Sequence, residues 1–147
     1  MEIIRVTDDA HEVIEPGWLA RAEPVHRQLR PHIPADYARK MRGVFEGGGE
    51  MCVAVIGEEV VGLAVFRSFE NTHMGRKFYV DDLVTDEAHR SSGVGHALMA
   101  FLQHLARSRG GTSIELDSGT QRTDAHRFYF REGFVITSFN FRKGLSG

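Results

Sequence analysis

The apolar residues of this chain change their spacing several times, and each change indicates a different local structure. Alternating or continuous apolar runs, typical of strands, occupy residues 3–7, 50–56, 60–68, 78–85 and 112–118. Polar residues between 70 and 76 predict a loop before the fourth of these runs. In residues 134–143, Phe139 and Phe141 fall on one side of an extended chain, which predicts one or two final strands.

Helical spacing appears in four other stretches. Residues 16–46 read as two helices, broken at residues 30–34 because Pro31 and Pro34 disfavour a continuous helix. Apolar residues recur every three to four positions from 94 to 105, and a short helix is expected at 124–132 before Gly133. The predicted fold is α/β: a mixed, mainly antiparallel sheet of six to seven strands flanked by about four helices. No repeat or linker divides the sequence, so residues 1–147 are expected to form a single domain.

Composition narrows the class of protein. The chain has 147 residues, of which 41% are hydrophobic and 26% charged, with a net charge of −2, so a globular protein without a nucleic-acid partner is expected. Its apolar runs are too short for a membrane span, and its first residues lack a secretory signal pattern. A single cysteine, Cys52, suits a reducing compartment, and the cytoplasm is the expected location. The eight histidines show no ligand spacing, so no metal is expected.

The turn at residues 90–95, Arg-Ser-Ser-Gly-Val-Gly, stands between a predicted strand and a predicted helix. Helix N-termini favour phosphate, and glycine allows close approach of an anion to the backbone. An ordinary helix start would also explain the turn. A P-loop is excluded because His96 and Ala97 follow Gly95, and a dinucleotide fingerprint is disfavoured because its third glycine is replaced by Leu98.

Three segments in this order resemble the GNAT superfamily of acyl-CoA-dependent N-acetyltransferases: residues 78–85, 90–95 and 125–134. The resemblance implies that the fourth and fifth strands splay apart and hold acetyl-CoA as co-substrate. It also implies a set of cofactor-binding residues on the fourth strand and the glycine turn: Leu83, Val84, Thr85, Arg90, Ser91, Ser92, Gly93, Val94, Gly95 and His96. Ser91 and Arg122 depart from the family pattern, which often has Gly and Asn at these places.

Candidate chemistry follows from the same segments. The resemblance assigns Tyr129 as the acid that protonates the leaving thiolate, although a core aromatic is the alternative. Asp81 is the first candidate for the base, directly or through water, and cation binding or loop capping is the alternative for both Asp81 and Asp82. Because neighbours on a strand point to opposite faces, only one of the two is expected to face the acceptor. An oxyanion donor is expected where the strand bulges near Leu83 or Val84.

The sequence gives less information about the residues that bind the acceptor. Trp18 and His26 are candidates for binding the acceptor, since the family's first helical region covers its substrate site, and a packing role is the alternative for Trp18. Asp82 is a further candidate on the predicted fourth strand. The expected activity is direct transfer of acetyl from acetyl-CoA to a primary amine of a small molecule or peptide. The alternatives are a non-catalytic acyl-CoA sensor and a dinucleotide-binding domain. The aromatic C-terminal segment could also pair across a homodimer.

Overall fold

The computed structural model describes residues 1–73 and 75–146, which contain five strands and four α-helices. In chain order these are β1 (Glu2–Arg5), α1 (Pro16–Leu29), α2 (Tyr37–Glu46), β2 (Gly49–Ile56), β3 (Glu59–Asn71), β4 (Gly75–Thr85), α3 (Val94–Ser108), β5 (Ile114–Leu116) and α4 (Thr123–Arg131). The chain divides into two compact units, Met1–Leu116 and Asp117–Gly147. Within the described ranges, none of the helices has the length and apolar content that crossing a membrane requires.

The five strands of the first unit form one sheet in the order β1-β2-β3-β4-β5. The first four are antiparallel to their neighbours, whereas β5 runs parallel to β4. This confirms the mixed, mainly antiparallel sheet. The predicted loop at 70–76 is shorter than expected, because β3 continues to Asn71 and β4 begins at Gly75. Met74, also in that predicted loop, lies outside the described residues.

Each face of the sheet is covered by helices, because the strands bury side chains on both sides. Leu63 and Val65 of β3 pack in one core layer with α1 and α2, while Ala64 and Phe66 pack in the other with α3. Gly62 lies beneath the start of α3, where a Cβ atom would come within 2.6 Å of the Val94 side chain. Glycine at this position therefore lets the first turn of α3 approach the sheet closely.

The predicted division of residues 16–46 into two helices is confirmed. Pro16 occupies the first turn of α1, where its missing N–H costs nothing. Asp36 caps α2 by accepting a hydrogen bond from the backbone N–H of Arg39 at 3.1 Å. Both helices turn their apolar stripes toward the sheet, with Tyr37 and Phe45 of α2 fully buried.

A buried carboxylate ties the C-terminal end of α3 to the sheet. Glu50 of β2 is 1% exposed and accepts hydrogen bonds of 2.8 Å from both Arg5 and Arg109. Asp9 completes the cluster through 2.7 and 2.8 Å contacts to the same two arginines. Since each buried oxygen of Glu50 has a cationic partner, the cluster holds β1, β2 and α3 together without an unpaired charge.

The prediction of six to seven strands is wrong. Residues 134–146 form no strand, and their apolar side chains are exposed, with Val135 at 75%, Phe139 at 83% and Phe141 at 91%. A strand exists only where a neighbouring strand satisfies its backbone. The described part of the unit Asp117–Gly147 contains α4 and no strand that could be this neighbour. The alternating phenylalanines therefore predicted strands that the described residues do not form.

Candidate active site

The parallel strands β4 and β5 are paired over three residues and then separate. Phe78, Tyr79 and Val80 of β4 are in register with residues 114–116, and β5 ends there, whereas β4 continues to Thr85 with β3 on its other side. Beyond Val80 the edge of β4 that faces away from β3 has no strand partner among the described residues. β4 thus continues for five residues beyond its pairing with β5. The splay of the two strands and the binding of pantetheine along Leu83, Val84 and Thr85 stay predictions.

The glycine turn leads into α3 with a backbone suited to anions. Ser91 and Gly93 both have left-handed backbone angles, with φ of +64° and +84°. Gly93 is also the N-cap of α3 and brings no side chain to the first turn, whose N–H groups therefore point out of the helix end. The Ser92 hydroxyl donates to the carbonyl of His89 and braces the turn. Arg90 adds a charge, so this loop can hold a pyrophosphate.

Asp81 and Asp82 lie on the same face of the sheet, contrary to the expected alternation. The pairing of β3 with β4 shifts between Val65 and Phe66, so Asp81 is an extra residue in a β-bulge. Val80 before the bulge packs with α3, whereas Val84 after it packs on the side of α1 and α2. The bulge thus changes the phase of the strand and turns both carboxylates toward α1 and α2. It lies at Asp81, not at Leu83 or Val84 as expected.

Asp82 accepts hydrogen bonds from two residues, one within α1 and one that directly follows its last residue. His26 is 2% exposed and donates from Nε2 to one Asp82 oxygen at 2.7 Å, while Arg30 donates to the other at 2.8–2.9 Å. The other ring nitrogen of His26, Nδ1, lies 2.8 Å from the Tyr37 hydroxyl, so a second hydrogen bond fixes the ring. Burial alone would raise the pKa of Asp82, but these donors outweigh it and the pKa is lowered. Such saturation favours an anchoring role for Asp82 over contact with an acceptor.

Asp81 is paired differently and is more accessible. Arg67 of β3 donates from two nitrogens to one Asp81 oxygen at 2.6–2.7 Å, and the Asp81 side chain remains 28% exposed. Its other oxygen accepts no hydrogen bond from the described residues, so an ammonium group could bind there. Arg67 was not predicted from sequence, although an arginine two residues after the buried Val65 stands on a core-facing position of the strand.

Trp18 lies on α1, partly buried against the core layer of α1 and α2. The guanidinium of Arg21 stands 5.1 Å from the centre of its ring, which is a cation–π contact. Trp18 and His26 therefore share a helix, but His26 is buried and contacts Asp82. The assignment of His26 to the acceptor site stays a prediction. The assignment of Trp18 to the acceptor site stays a prediction.

Tyr129 belongs to the second unit, on α4. Its ring contacts those of Phe128 and Phe134 edge-to-face at centroid distances of 5.4 and 5.7 Å, and its carbonyl accepts from the N–H of Phe134. Burial raises the pKa of Tyr129, and the charge of Arg122 opposes this only in part. The phenol therefore carries its proton at neutral pH, as a general acid must.

One group of side chains in the described ranges has metal-ligand geometry. Donor atoms of Glu59, Asp86 and His89 lie within 4.8 Å of one another. Asp86 already accepts hydrogen bonds from Gln28 at 2.8 Å and from His89 at 3.0 Å, which brace the turn before the glycine loop. These bonds account for the cluster as a support for the loop.

Comparisons with known proteins agree with this geometry. The sequence model of the Acetyltransferase (GNAT) family matches residues 14–134. The uncharacterized N-acetyltransferase YhdJ of Bacillus subtilis (strain 168) is 32% identical over 127 residues, covering 84% of this chain and 89% of that protein. The aminoalkylphosphonate N-acetyltransferase of Salmonella typhimurium (strain LT2) is 35% identical over 88 residues, covering 59% of this chain and 57% of that protein.

Solved structures share the fold. The structure of AAC(6')-Iy in complex with a bisubstrate analogue, CoA-S-monomethyl-acetylneamine, superposes with a TM-score of 0.78 over 98% of both chains at 16% identity. The family match and the related sequences lead to one conclusion. The chain belongs to the GNAT family of acetyltransferases.

Proposed function

We propose that this protein transfers the acetyl group of acetyl-CoA to a primary amine of a small molecule or peptide by direct attack. The observation that carries the proposal is the position of the Asp81 bulge. It lies on β4 directly after Val80, where the pairing with β5 ends, so a carboxylate stands where one edge of β4 becomes unpaired. An amine held by that carboxylate would approach a thioester lying along β4.

Different residues of the chain bind the cofactor and donate the proton in this reaction. Leu83, Val84 and Thr85 offer backbone groups to the pantetheine arm, and the glycine loop and the first turn of α3, from Arg90 to His96, hold the pyrophosphate. Bound acetyl-CoA supplies the thioester carbonyl carbon that the amine nitrogen attacks. As the new C–N bond forms and the C–S bond breaks, Tyr129 gives its hydroxyl proton to the departing sulfur.

Asp81 binds the incoming ammonium through its accessible oxygen. The ammonium then loses one proton to water, which leaves the neutral amine that attacks the thioester carbon. A direct role as a strong base is disfavoured because Arg67 neutralises the carboxylate at 2.6 Å. When the C–N bond forms, the nitrogen loses its second proton, which passes through water to the Tyr129 oxygen and restores the phenol. Asp82 and His26 support this arrangement by fixing α1 to β4.

The proposal is tested by measuring thiol release from acetyl-CoA with a panel of amines, beside acetyl-CoA binding by calorimetry. We expect acceptor-dependent thiol release. Tyr129→Phe should lower kcat by about tenfold or more with little change in acetyl-CoA affinity, since general acids contribute roughly 100-fold or more. Phe130→Leu, at an exposed neighbouring position on α4, is the matched control and should change kcat little.

The competing function is an acyl-CoA sensor without turnover. Tight acetyl-CoA binding with no amine-dependent thiol release from any acceptor would favour the sensor and exclude the enzyme. An unchanged kcat in Tyr129→Phe would instead return Tyr129 to a packing role while leaving the transferase in place.

A further inference from the structure

The charged groups around the Asp81 bulge balance one another. On the face of the sheet toward α1 and α2, Asp81 pairs with Arg67 and Asp82 pairs with Arg30. Further along the same face of β4, Lys77 lies 3.7 Å from Glu115 of β5. Each carboxylate thus already has a cationic partner. A polycationic acceptor needs an excess of negative charge, which these groups do not offer.

Arg67 is placed to do more than neutralise Asp81. Its Nε and one terminal nitrogen engage Asp81, and the other terminal nitrogen reaches the carbonyl of Gly47 only at 3.4 Å, a weak contact. Its side chain is 31% exposed, and a guanidinium has five donors in a plane. The edge turned away from Asp81 can therefore bind an anionic oxygen beside an ammonium held by the carboxylate.

Arg30 adds a second positive charge next to the Asp81 bulge. Its side chain is 54% exposed and bridges Asp82 to the carbonyl of Asp81, with a distance of 3.3 Å to that carbonyl. An anion near the bulge would thus meet two guanidinium groups, one from β3 and one from the end of α1. An amine without an anionic group would meet a carboxylate that Arg67 already neutralises and would make no contact with a guanidinium.

We infer that the acceptor is a small zwitterion, a primary amine that carries a phosphonate, phosphate or carboxylate one or two carbons away. Its ammonium binds Asp81 and its anionic group binds Arg67. This inference rests on the proposed acetyl transfer and names the substrate class of the same site. The bound acceptor would thus add two ion pairs beside the Asp81–Arg67 pair and leave every charge partnered.

The test compares acceptors that differ in charge but share a primary amine: aminomethylphosphonate, β-alanine, ethylamine and spermidine. We expect kcat/KM for one or both zwitterions to exceed that for ethylamine and spermidine by at least about tenfold, the worth of one charge-assisted hydrogen bond. The ratio between aminomethylphosphonate and β-alanine distinguishes a phosphonate from a carboxylate as the preferred anion.

Arg67→Gln should lower kcat/KM for the preferred zwitterion about tenfold or more and that for ethylamine less than about threefold. Arg67→Lys, which keeps the charge but loses the planar fork, should fall between the two. Arg76→Gln is the matched control, since Arg76 lies on the same β3–β4 hairpin and pairs with Glu70 and Ser68. Its acceptor preference should equal that of the wild type.

Three results would overturn the inference. Spermidine or ethylamine could serve as well as the zwitterions in the wild type, which would refute the acceptor class whatever the variants do. Arg67→Gln could reduce all acceptors equally, which would make Arg67 a mere support for Asp81. No thiol release with any amine, despite acetyl-CoA binding, would overturn the proposed transferase itself and this inference with it.

Discussion

Replacing Asp82 by asparagine should separate an anchoring carboxylate from a substrate-binding one. The introduced amide keeps one accepting oxygen, but its NH2 group would turn N–H bonds toward the His26 or Arg30 donors. His26 and Asp82 are 2% and 14% exposed, so their 2.7 Å charge-assisted bond is shielded from water. The substitution therefore removes a buried interaction between α1 and β4 while preserving the size of the side chain.

The size of the expected loss of stability depends on how exposed each donor to Asp82 is. A hydrogen bond to a charged group contributes about 1.5–3 kcal/mol, and the exposed Arg30 adds at most about 1 kcal/mol. We expect Asp82→Asn to lower the free energy of unfolding by about 2–4 kcal/mol. For a chain of 147 residues this corresponds to a fall in Tm of roughly 10 °C.

Urea unfolding at pH 7, followed by circular dichroism and by fluorescence of the single tryptophan Trp18 on α1, measures the change. The matched control is Asp81→Asn, whose ion pair is more exposed, at 28% and 31%, and should cost less than about 1 kcal/mol. Equal stability of the two variants would refute the anchoring role. An Asp82→Asn protein as stable as the wild type would refute it directly.

The contribution of Asp82 to stability should depend on pH in a defined direction. The pKa of Asp82 is lowered in the folded state, because the donors His26 and Arg30 outweigh the effect of burial. The stabilisation by Asp82 is therefore present above its unfolded value of about 3.9 and is lost as the pH falls through the lower folded pKa. The stability difference between wild type and Asp82→Asn should narrow below about pH 4. A difference that widens on acidification would contradict this.

Three further predictions concern the support of the cofactor loop and of α3. Gly62→Val should displace the start of α3 and raise the Kd for acetyl-CoA, because a Cβ would stand 2.6 Å from Val94; Gly43→Ala, with open space around its Cβ, should leave calorimetric binding unchanged. Ser91→Val should raise the Kd for acetyl-CoA about tenfold, since a β-branched residue resists the left-handed backbone angle at this position. Ser91→Gly should bind acetyl-CoA at least as tightly as the wild type. Equal affinities of the two variants would show that this backbone angle does not matter for binding. Glu50→Gln should lower the free energy of unfolding by about 3 kcal/mol in urea melts by leaving two arginines underpaired, and a loss below about 1 kcal/mol would argue against the cluster.

Local patterns predicted most of the elements. The apolar spacing from Val94 onward placed α3, and the two prolines between 30 and 34 separated α1 from α2, because both signals depend only on residues within a turn or two. The glycine turn was recognised for the same reason. Its fit to an anion depends on backbone angles at Ser91 and Gly93 that adjacent residues largely set.

Pairing between strands was harder to predict from the sequence. The bulge at Asp81 depends on register with Val65 and Phe66 on the other arm of the β3–β4 hairpin, so no reading of β4 alone could show that Asp81 and Asp82 share a face. Arg67, Arg30 and Tyr37 became site residues only because the fold brings them to these two carboxylates. The C-terminal phenylalanines failed for the same reason, since their alternation predicted a strand but carries no information about a pairing partner.

The family, the order of helices and strands from β1 to α4, and the loop that suits a pyrophosphate can all be read from the order of amino acids. These features rest on periodicity and on short motifs, which are encoded within a few consecutive residues. Folding in three dimensions settles which carboxylate is enclosed and which is accessible, and that each is already paired with an arginine. Charges brought together from β3, β4 and α1 interact through space, and their balance is a property of the folded chain alone.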